Sequence, residues 1–417
     1  MDRVLDIAKK AKDASPMAAA ASTYEKNKAL EAIAKNLIDK KDKILKANSK
    51  DIASSKEKGI SKSLLDRLTL DEERIVKISS SIEEVIDLTD PIGEVIFGYN
   101  LPNGLVLKNI RVPLGVIGII YEARPNVTVD ASVLCLKSGN SVILRGSSHA
   151  ISSNIAIVEV IREAVKLSGL PEDIVQVIPT SDRKDAEAMM GLREYIDVLI
   201  PRGGKSLIDS VVKNSKVPVI ETGIGNCHIY IDNETDYDPK KISSIVINAK
   251  TQRPSVCNAA EKLLIHEDAV PGLLDRLVKD LRSKGVEIRG CKKTAGLIDG
   301  IGLASEEEWY EEYLELKIAI KIVGSLEEAI SHINKYGSGH SDSIITSSYK
   351  KSNLFTKMVD SSSVYVNAST RFTDGGEFGM GAEIGISTQK LHWRGPMGLR
   401  EMTTNKFIVL GEGHIRE

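Results

Sequence analysis

The run Val116-Ile-Gly-Ile-Ile-Tyr121 constrains this chain more than any other stretch. It is nearly all apolar, so a strand here is buried on both faces, as the strands of a parallel α/β sheet are. The residues after it keep to that pattern. Residues 141–145 read as a strand and 152–167 as a helix closed by Gly169. Then come a strand at 175–178, a helix at 184–190, a strand at 196–200, a helix at 205–213 and a strand at 217–220. This alternation predicts a mostly parallel, doubly wound sheet. Ligands of such sheets bind beyond the carboxyl ends of the strands. The loops there are Arg145-Gly146-Ser-Ser148, Pro201-Arg-Gly203-Gly204 and Glu221-Thr-Gly223-Ile-Gly225.

The flanking segments differ in kind. Residues 1–90 read as helices, with apolar side chains at three-to-four spacing (Leu30, Ile33, Ala34, Leu37, Ile38, then Ile44 and Leu45) and charges on the other faces. Those charges read as a solvated surface rather than a basic binding patch. Apolar runs at 93–97 and 105–112 flank Leu101-Pro-Asn-Gly104, a hairpin signal. After Cys257 a second alternation begins, with strands expected at 261–266, 286–289, 315–323, 342–346 and 362–367. Helices are expected between them at 272–284, 325–335 and 349–358, giving a second α/β domain. The last apolar stretch, Lys406-Phe-Ile-Val-Leu410, is a strand that needs a partner. The hairpin is the candidate, in the same chain or in a partner subunit.

Composition excludes several functions. The net charge is −2 with both signs interspersed, which argues against a nucleic-acid or membrane-surface protein. Only 4% of residues are aromatic, so stacking platforms for single strands are not expected. The four cysteines, Cys135, Cys227, Cys257 and Cys291, form neither a CxxC nor a zinc spacing, as in a reducing cytoplasm. The first residues lack the layout of a signal peptide, and no apolar run reaches the roughly 18 residues of a membrane span.

Chemistry concentrates in Lys250-Thr-Gln-Arg253-Pro-Ser-Val-Cys257-Asn-Ala-Ala260. A helix over 239–252 should break near Arg253-Pro254, because proline disfavours helix in the residue before it. That leaves Cys257 on an irregular turn before an apolar strand, among the small residues Ser255, Asn258, Ala259 and Ala260. Such a thiol is either a small buried hydrophobe or a supported, accessible nucleophile. Asn126, after the buried strand, is either a helix cap or an amide donor to an oxyanion. Glu221 is either a solvated loop carboxylate or a catalytic one. The stretch Gly379-Met-Gly-Ala-Glu-Ile-Gly385 fails as a dinucleotide fingerprint, having three residues after its second glycine and no strand before it. Cys135 lies in an apolar helical patch and reads as core.

Taken together and in order, these pieces resemble the aldehyde dehydrogenase superfamily over most of the chain. Arg124-Pro-Asn126 resembles its proline-aromatic-asparagine motif, Ile220-Glu-Thr-Gly223 its general-base motif, and Gln252-Arg-Pro-Ser-Val-Cys257 its nucleophile motif. Lys137 to Arg145 resembles the strand ending in a ribose-contacting lysine, here Arg145, which implies a ribose phosphate and so NADPH. Tyr310-Glu-Glu312 approximates the ribose-binding glutamate. Longer stretches, Ala329 to Asp342, Phe378 to Thr388 and Arg394 to Gly398, resemble the branch that reduces L-glutamyl 5-phosphate.

The resemblance implies an α/β fold with two doubly wound domains and a hairpin/C-terminal oligomerisation flap. The dinucleotide-binding domain would be 1–100 with 122–252, the catalytic domain 253–377, and the flap 101–121 with 386–417. It implies a cytoplasmic homo-oligomer, dimer or tetramer, without bound metal. It further implies NADPH-dependent formation of L-glutamate 5-semialdehyde in proline synthesis, with a separate glutamate 5-kinase as a candidate partner. Catalysis would rest on Cys257, Asn126 and Glu221. The cofactor would meet Arg145, Gly146, Pro201, Gly203, Gly204, Gly223 and Glu312. Arg124, Arg253, Arg371 and His340 would bind substrate, with Arg394 a further cation and Asp342 beside His340. The alternative is an NAD(P)-dependent aldehyde dehydrogenase that oxidises an aldehyde to an acid with water.

Overall fold

The computed structural model describes residues 2–416. They form two compact units. The first runs to Glu221 and takes in Gly379–Gly385 and the chain from Met397 onward; the second holds Thr222–Phe378 and Ile386–Pro396.

The first unit is built on a four-stranded parallel sheet in the order Val175–Val177, Ser141–Arg145, Val116–Tyr121, Val198–Arg202. The apolar run at 116–121 is the inner strand that its composition demands. Ile117, Ile119 and Tyr121 join one core with Leu30, Ile33 and Leu37 of the helix Thr23–Asp39 and Ile157 and Ile161 of the helix Ile151–Ser168. Val116 and Ile120 point the other way, into a core with Val4 and Ala8 of the helix Asp2–Ala20, and with Met189 and Val211. A methyl group at Gly118 would overlap Leu199 and Met189 on that second face. Residues before 90 form five helices, and a Ser22–Glu25 capping box starts the second.

Three expectations are revised here. The strand at 217–220 shrinks to one bridge, Val219 to Leu199, flanked by Leu199 N–H to Pro218 O at 2.8 Å and Ile220 N–H to Leu199 O at 2.9 Å. Pro218 has no N–H with which to continue a ladder. Residues 116–121 belong to the sheet of the first unit rather than to a flap. The unit boundary lies at Glu221 instead of 252, because the strand Cys227–Ile231 is threaded into the second unit's sheet.

The hairpin Val95–Asn100/Val106–Pro113 turns through Asn103 and Gly104, whose φ of 91° is the left-handed conformation that favours glycine. The strand Thr403–Leu410 pairs antiparallel with Val106–Pro113 along its whole length, within the same chain. The terminal strand thus finds the partner its sequence requires. Phe97, Tyr99, Phe407 and Val409 stand exposed on this small sheet. Phe97 stacks on Tyr99 and meets Phe407 edge-on, with ring centroids 6.3 and 6.0 Å apart.

The second unit is a seven-stranded parallel sheet. Its order is Gly302–Leu303, Glu287–Gly290, Lys317–Val323, Ala260–His266, Cys227–Ile231, Ser341–Ile345, Ser363–Val366. Ile229, Leu263 and Ile320 pack on one face with Ile242 and Val246 of the helix Pro239–Thr251 and with Leu274, Leu277 and Leu281 of the helix Leu274–Ser283. Tyr230, Leu264 and Ile344 pack on the other with Ile330, Ile333 and Phe355. A 2.9 Å ion pair, Lys250 to Glu261, is fully buried between the Pro239–Thr251 helix and the central strand. Burial pushes the Glu261 carboxyl up to about 7 and the Lys250 ammonium down, and the mutual attraction opposes both. Removing one partner strands the other charge, so Lys250→Met is expected to cost about 3–5 kcal/mol in urea unfolding. Lys250→Met/Glu261→Leu should recover most of that loss.

Candidate active site

In the first unit the carboxyl ends of the sheet converge on two loops. Pro125 occupies the first turn of the helix Pro125–Lys137, where its fixed φ and missing N–H cost nothing. Asn126 follows it, exposed, and its Nδ2 donates to Asp130 Oδ2 at 3.1 Å one helical turn on. Burial pushes the Asp130 carboxyl up to about 6, opposed by the Asn126 bond and the Arg202 charge. Asn126 is therefore not the cap of its helix; the cap position is Arg124. Pro201 lies in the strand Val198–Arg202, and Gly204 caps the helix Lys205–Asn214. The Gly204 N–H donates to Glu122 Oε1 at 2.9 Å, and a Cβ at Gly203 would meet the same carboxyl at 2.7 Å.

Arg145 ends its strand next to Gly146. Its Nη2 donates to the carbonyls of Ser181 at 2.9 Å and Asp182 at 3.3 Å. Its buried Nε has no hydrogen-bond partner among the described residues. A guanidinium held on one side and unsatisfied on the other fits an anionic ligand. Glu221 closes the first stretch of this unit and is half-buried.

In the second unit Cys257 sits half-buried on a turn between the helix Pro239–Thr251 and the strand Ala260–His266. It therefore stands at the amino end of that strand. Its carbonyl accepts from the buried Cys227 thiol at 3.1 Å. Burial pushes the Cys227 thiol far up, so it remains a neutral donor. His340 Nδ1 lies 2.8 Å from Ser341 Oγ and 3.8 Å from Cys227 Sγ. Ser341 Oγ in turn lies 2.7 Å from Thr373 Oγ1.

Gly225 passes so close beneath the Cys257 carbonyl that a Cβ there would overlap it. The Gly225 N–H donates to Glu312 Oε1 at 2.7 Å, and burial raises the Glu312 carboxyl. Gly223 N–H donates to Ile386 O at 2.7 Å.

Arg371 is fixed by two residues beside the nucleophile. Its Nε donates to Gln252 Oε1 at 2.9 Å and its Nη1 to Asn258 Oδ1. Asn258 Nδ2 binds back to the Thr373 carbonyl at 2.8 Å. Burial lowers the affinity of the Arg371 guanidinium for its proton, offset by the charge of Asp374 and by the neighbouring Cys257. Arg253 also feeds this field and is exposed.

Within this unit Gly225, held by Glu312, and Arg371, held by Gln252 and Asn258, thus meet the Cys257 turn from two sides of the chain. His340 does not meet the expectation of a substrate contact: its ring is fully buried, and it supports the loop through Cys227 and Ser341. Asp342 is not its partner either. Its carboxylate accepts from His228 N at 2.7 Å and from the Ser361 hydroxyl. Arg394 binds Asp360 Oδ1 at 2.6 Å. Sequence reasoning missed Asp130, Gln252 and Asn258. Asp130 was available as the i,i+4 neighbour of Asn126 on a helix opened by Pro125.

Two parallel doubly wound units, with a cysteine on the turn before a central strand and an arginine pinned beside it, give the chain an aldehyde-dehydrogenase-like α/β fold. The chain belongs to the aldehyde dehydrogenase family, whose sequence profile matches residues 2–288. Enzymes of this family use nicotinamide cofactors. The chain is 58% identical to the gamma-glutamyl phosphate reductase of Clostridium perfringens over 98% of both chains. It is 55% identical to that of Caldicellulosiruptor bescii over 100% of both. The crystal structure of gamma-glutamyl phosphate reductase from Thermotoga maritima superposes with a TM-score of 0.96 at 52% identity, covering 99% of this chain and 100% of that one.

Proposed function

We propose that this chain reduces L-glutamyl 5-phosphate to L-glutamate 5-semialdehyde, releasing phosphate, through a thioester at Cys257. The observation that carries the reading is the pinned Arg371 guanidinium beside the Cys257 turn: a planar cation that recognises phosphate or carboxylate, next to a thiol.

The Cys257 thiolate attacks the acyl carbon, and the developing oxyanion is held by the Asn126 amide and backbone N–H groups. The carbonyl re-forms, the bond to phosphate breaks, and a thioester remains. Arg371, with Arg124 and Arg253, binds the anionic groups of the substrate. Bound NADPH supplies hydride. Once the thioester carbon is reduced, the C–S bond breaks and Cys257 returns as the thiolate. Because hydride rather than water removes the acyl group, Glu221 is assigned to positioning the reacting groups and not to activating water.

NADPH is favoured by Arg145. The loop after it, Gly146-Ser-Ser-His149, carries hydroxyls and no carboxylate to repel a ribose phosphate. Gly146, Pro201, Gly203 and Gly204 line the same sheet ends, while Glu312 binds the Gly225 N–H two residues after Gly223. The exposed Phe97–Tyr99–Phe407 cluster supports a homo-oligomer formed through the small sheet. No helix among the described residues is long and apolar enough to cross a membrane. A cytoplasmic location and association with a separate glutamate 5-kinase complete the reading.

The test runs the reaction backwards. Purified protein with glutamate 5-semialdehyde and NADP⁺ is expected to form reduced cofactor continuously only when inorganic phosphate is present. Sustained turnover without phosphate would replace this reading with aldehyde oxidation by water and return Glu221 to the role of base.

A further inference from the structure

We propose that Asp130 is a positioning residue, whose carboxylate fixes the side-chain amide of Asn126 with one N–H facing outward from the start of the helix Pro125–Lys137. The inference rests on the reading of Asn126 as the oxyanion donor. An exposed asparagine amide rotates freely, and its two ends are opposite in character: the nitrogen donates, the oxygen accepts. An oxyanion needs the donor end. A carboxylate accepts only, so it binds the amide by its nitrogen and rejects the turned-over orientation. Here Asn126 Nδ2 meets Asp130 Oδ2 at 3.1 Å, which uses one of its two N–H groups and leaves the other to point away.

The helix geometry makes this arrangement rigid. The residues are four apart, so they stack on one face. Pro125 locks the turn from which Asn126 projects, and the following residues Val127 to Val129 are buried. Two groups keep Asp130 in its accepting form. The Asn126 bond and the Arg202 charge both favour its carboxylate, although burial pushes the group up to about 6; above neutrality it is ionised. In an ordinary surface helix an Asn–Asp pair at this spacing adds only about 0.2–0.5 kcal/mol of helix stability. A residue that acts through Asn126 affects turnover instead.

The experiment is a double-mutant cycle on the full-length protein. The kcat and KM of wild type, Asn126→Ala, Asp130→Ala and the double variant are measured in the phosphate-dependent direction at pH 8, with thermal unfolding alongside. Asn126→Ala is expected to lower kcat by about 10²–10³, the usual effect of an oxyanion donor. Asp130→Ala should lower kcat roughly tenfold with KM little changed, as a misaligned catalytic group does. In the Asn126→Ala background, removing Asp130 should change kcat by less than about twofold, since a residue acting through Asn126 has nothing left to position. The near-isosteric Asp130→Asn, which retains an acceptor, should recover part of the loss and provides the readout if the alanine variant does not fold. An Asp130 effect that multiplies with that of Asn126, or that appears in KM or melting temperature alone, overturns the inference. A normal kcat for Asn126→Ala overturns the assignment of Asn126 itself; a slow Asn126→Ala with a normal Asp130→Ala overturns only the positioning role.

Discussion

Cys257→Ala is expected to abolish turnover, by a factor on the order of 10⁵, while leaving the fold intact. The neighbouring Cys227 cannot take over: it is fully buried with its thiol committed to the Cys257 carbonyl, and burial keeps it protonated. The substitution removes one sulfur from a half-buried turn whose neighbours are small, so the cavity it leaves is slight. Its stability should remain within about 1 kcal/mol of wild type in urea unfolding. Steady-state assays in the phosphate-dependent direction, with denaturation curves beside them, read both quantities. A variant retaining a tenth of the activity would remove Cys257 from the chemistry.

The second large effect is expected at a residue without a side chain. Gly225 is not in the left-handed region, so its constraint is space and not conformation. A methyl group there would overlap the Cys257 carbonyl, which is backbone and cannot rotate aside. Nor can Gly225 retreat. Its N–H is held by Glu312 at 2.7 Å, and the next N–H, of Asn226, donates to Ser338 Oγ at 2.9 Å. The Asn226 amide is pinned in turn by the carbonyls of Trp309 and Tyr336, at 2.7 and 2.8 Å. The Cys257 turn must therefore give way, by roughly an ångström or more in an interior packed this densely. Misplacing a reacting atom by that amount costs about 10² in rate, and the broken Cys227 bond adds to it. Gly225→Ala is thus expected to lose on the order of 10³ in kcat. A lowered melting temperature should accompany the loss, from overpacking worth about 1–3 kcal/mol. Normal kinetics would show that the loop has slack the geometry denies.

Much of the architecture is legible in the residues because burial on two faces leaves a plain mark. The 116–121 run and the strands that pair with it show it, as do Leu263, Leu264 and Ile265 in the second unit. The terminal strand is legible through need: an apolar edge requires a partner, and the hairpin is the nearest unpaired one. The unit boundary is less visible. Cys227–Ile231 looks in sequence like a continuation of the first alternation, and only its pairing with Ala260–His266 and Ser341–Ile345 assigns it to the second unit. Position at the site is hidden for a related reason. The rule that ligands meet the carboxyl ends of parallel strands picks out Arg145, Gly203 and Gly204, which stand at or just beyond such ends. Cys257, at the amino end of its strand, lies outside that rule. The buried supports beneath it, from Cys227 through His340 and Ser341 to Thr373, come from three separate stretches of chain, and no local pattern announces them. Arg371 could be chosen from the sequence as a cation in a motif loop, but its anchors, Gln252 and Asn258, sit more than a hundred positions away.

The most direct test of the central claim, that Cys257 carries the acyl group and phosphate removes it, is a rapid-mixing measurement without phosphate. Enzyme at substrate-like concentration is mixed with glutamate 5-semialdehyde and NADP⁺, and reduced cofactor is followed by absorbance. Wild type should form about one equivalent per subunit and then stop, with the acyl group held as the thioester. Added phosphate should restart turnover, and Cys257→Ala should show no burst. Continuous turnover without phosphate, or a full burst from Cys257→Ala, would contradict the account.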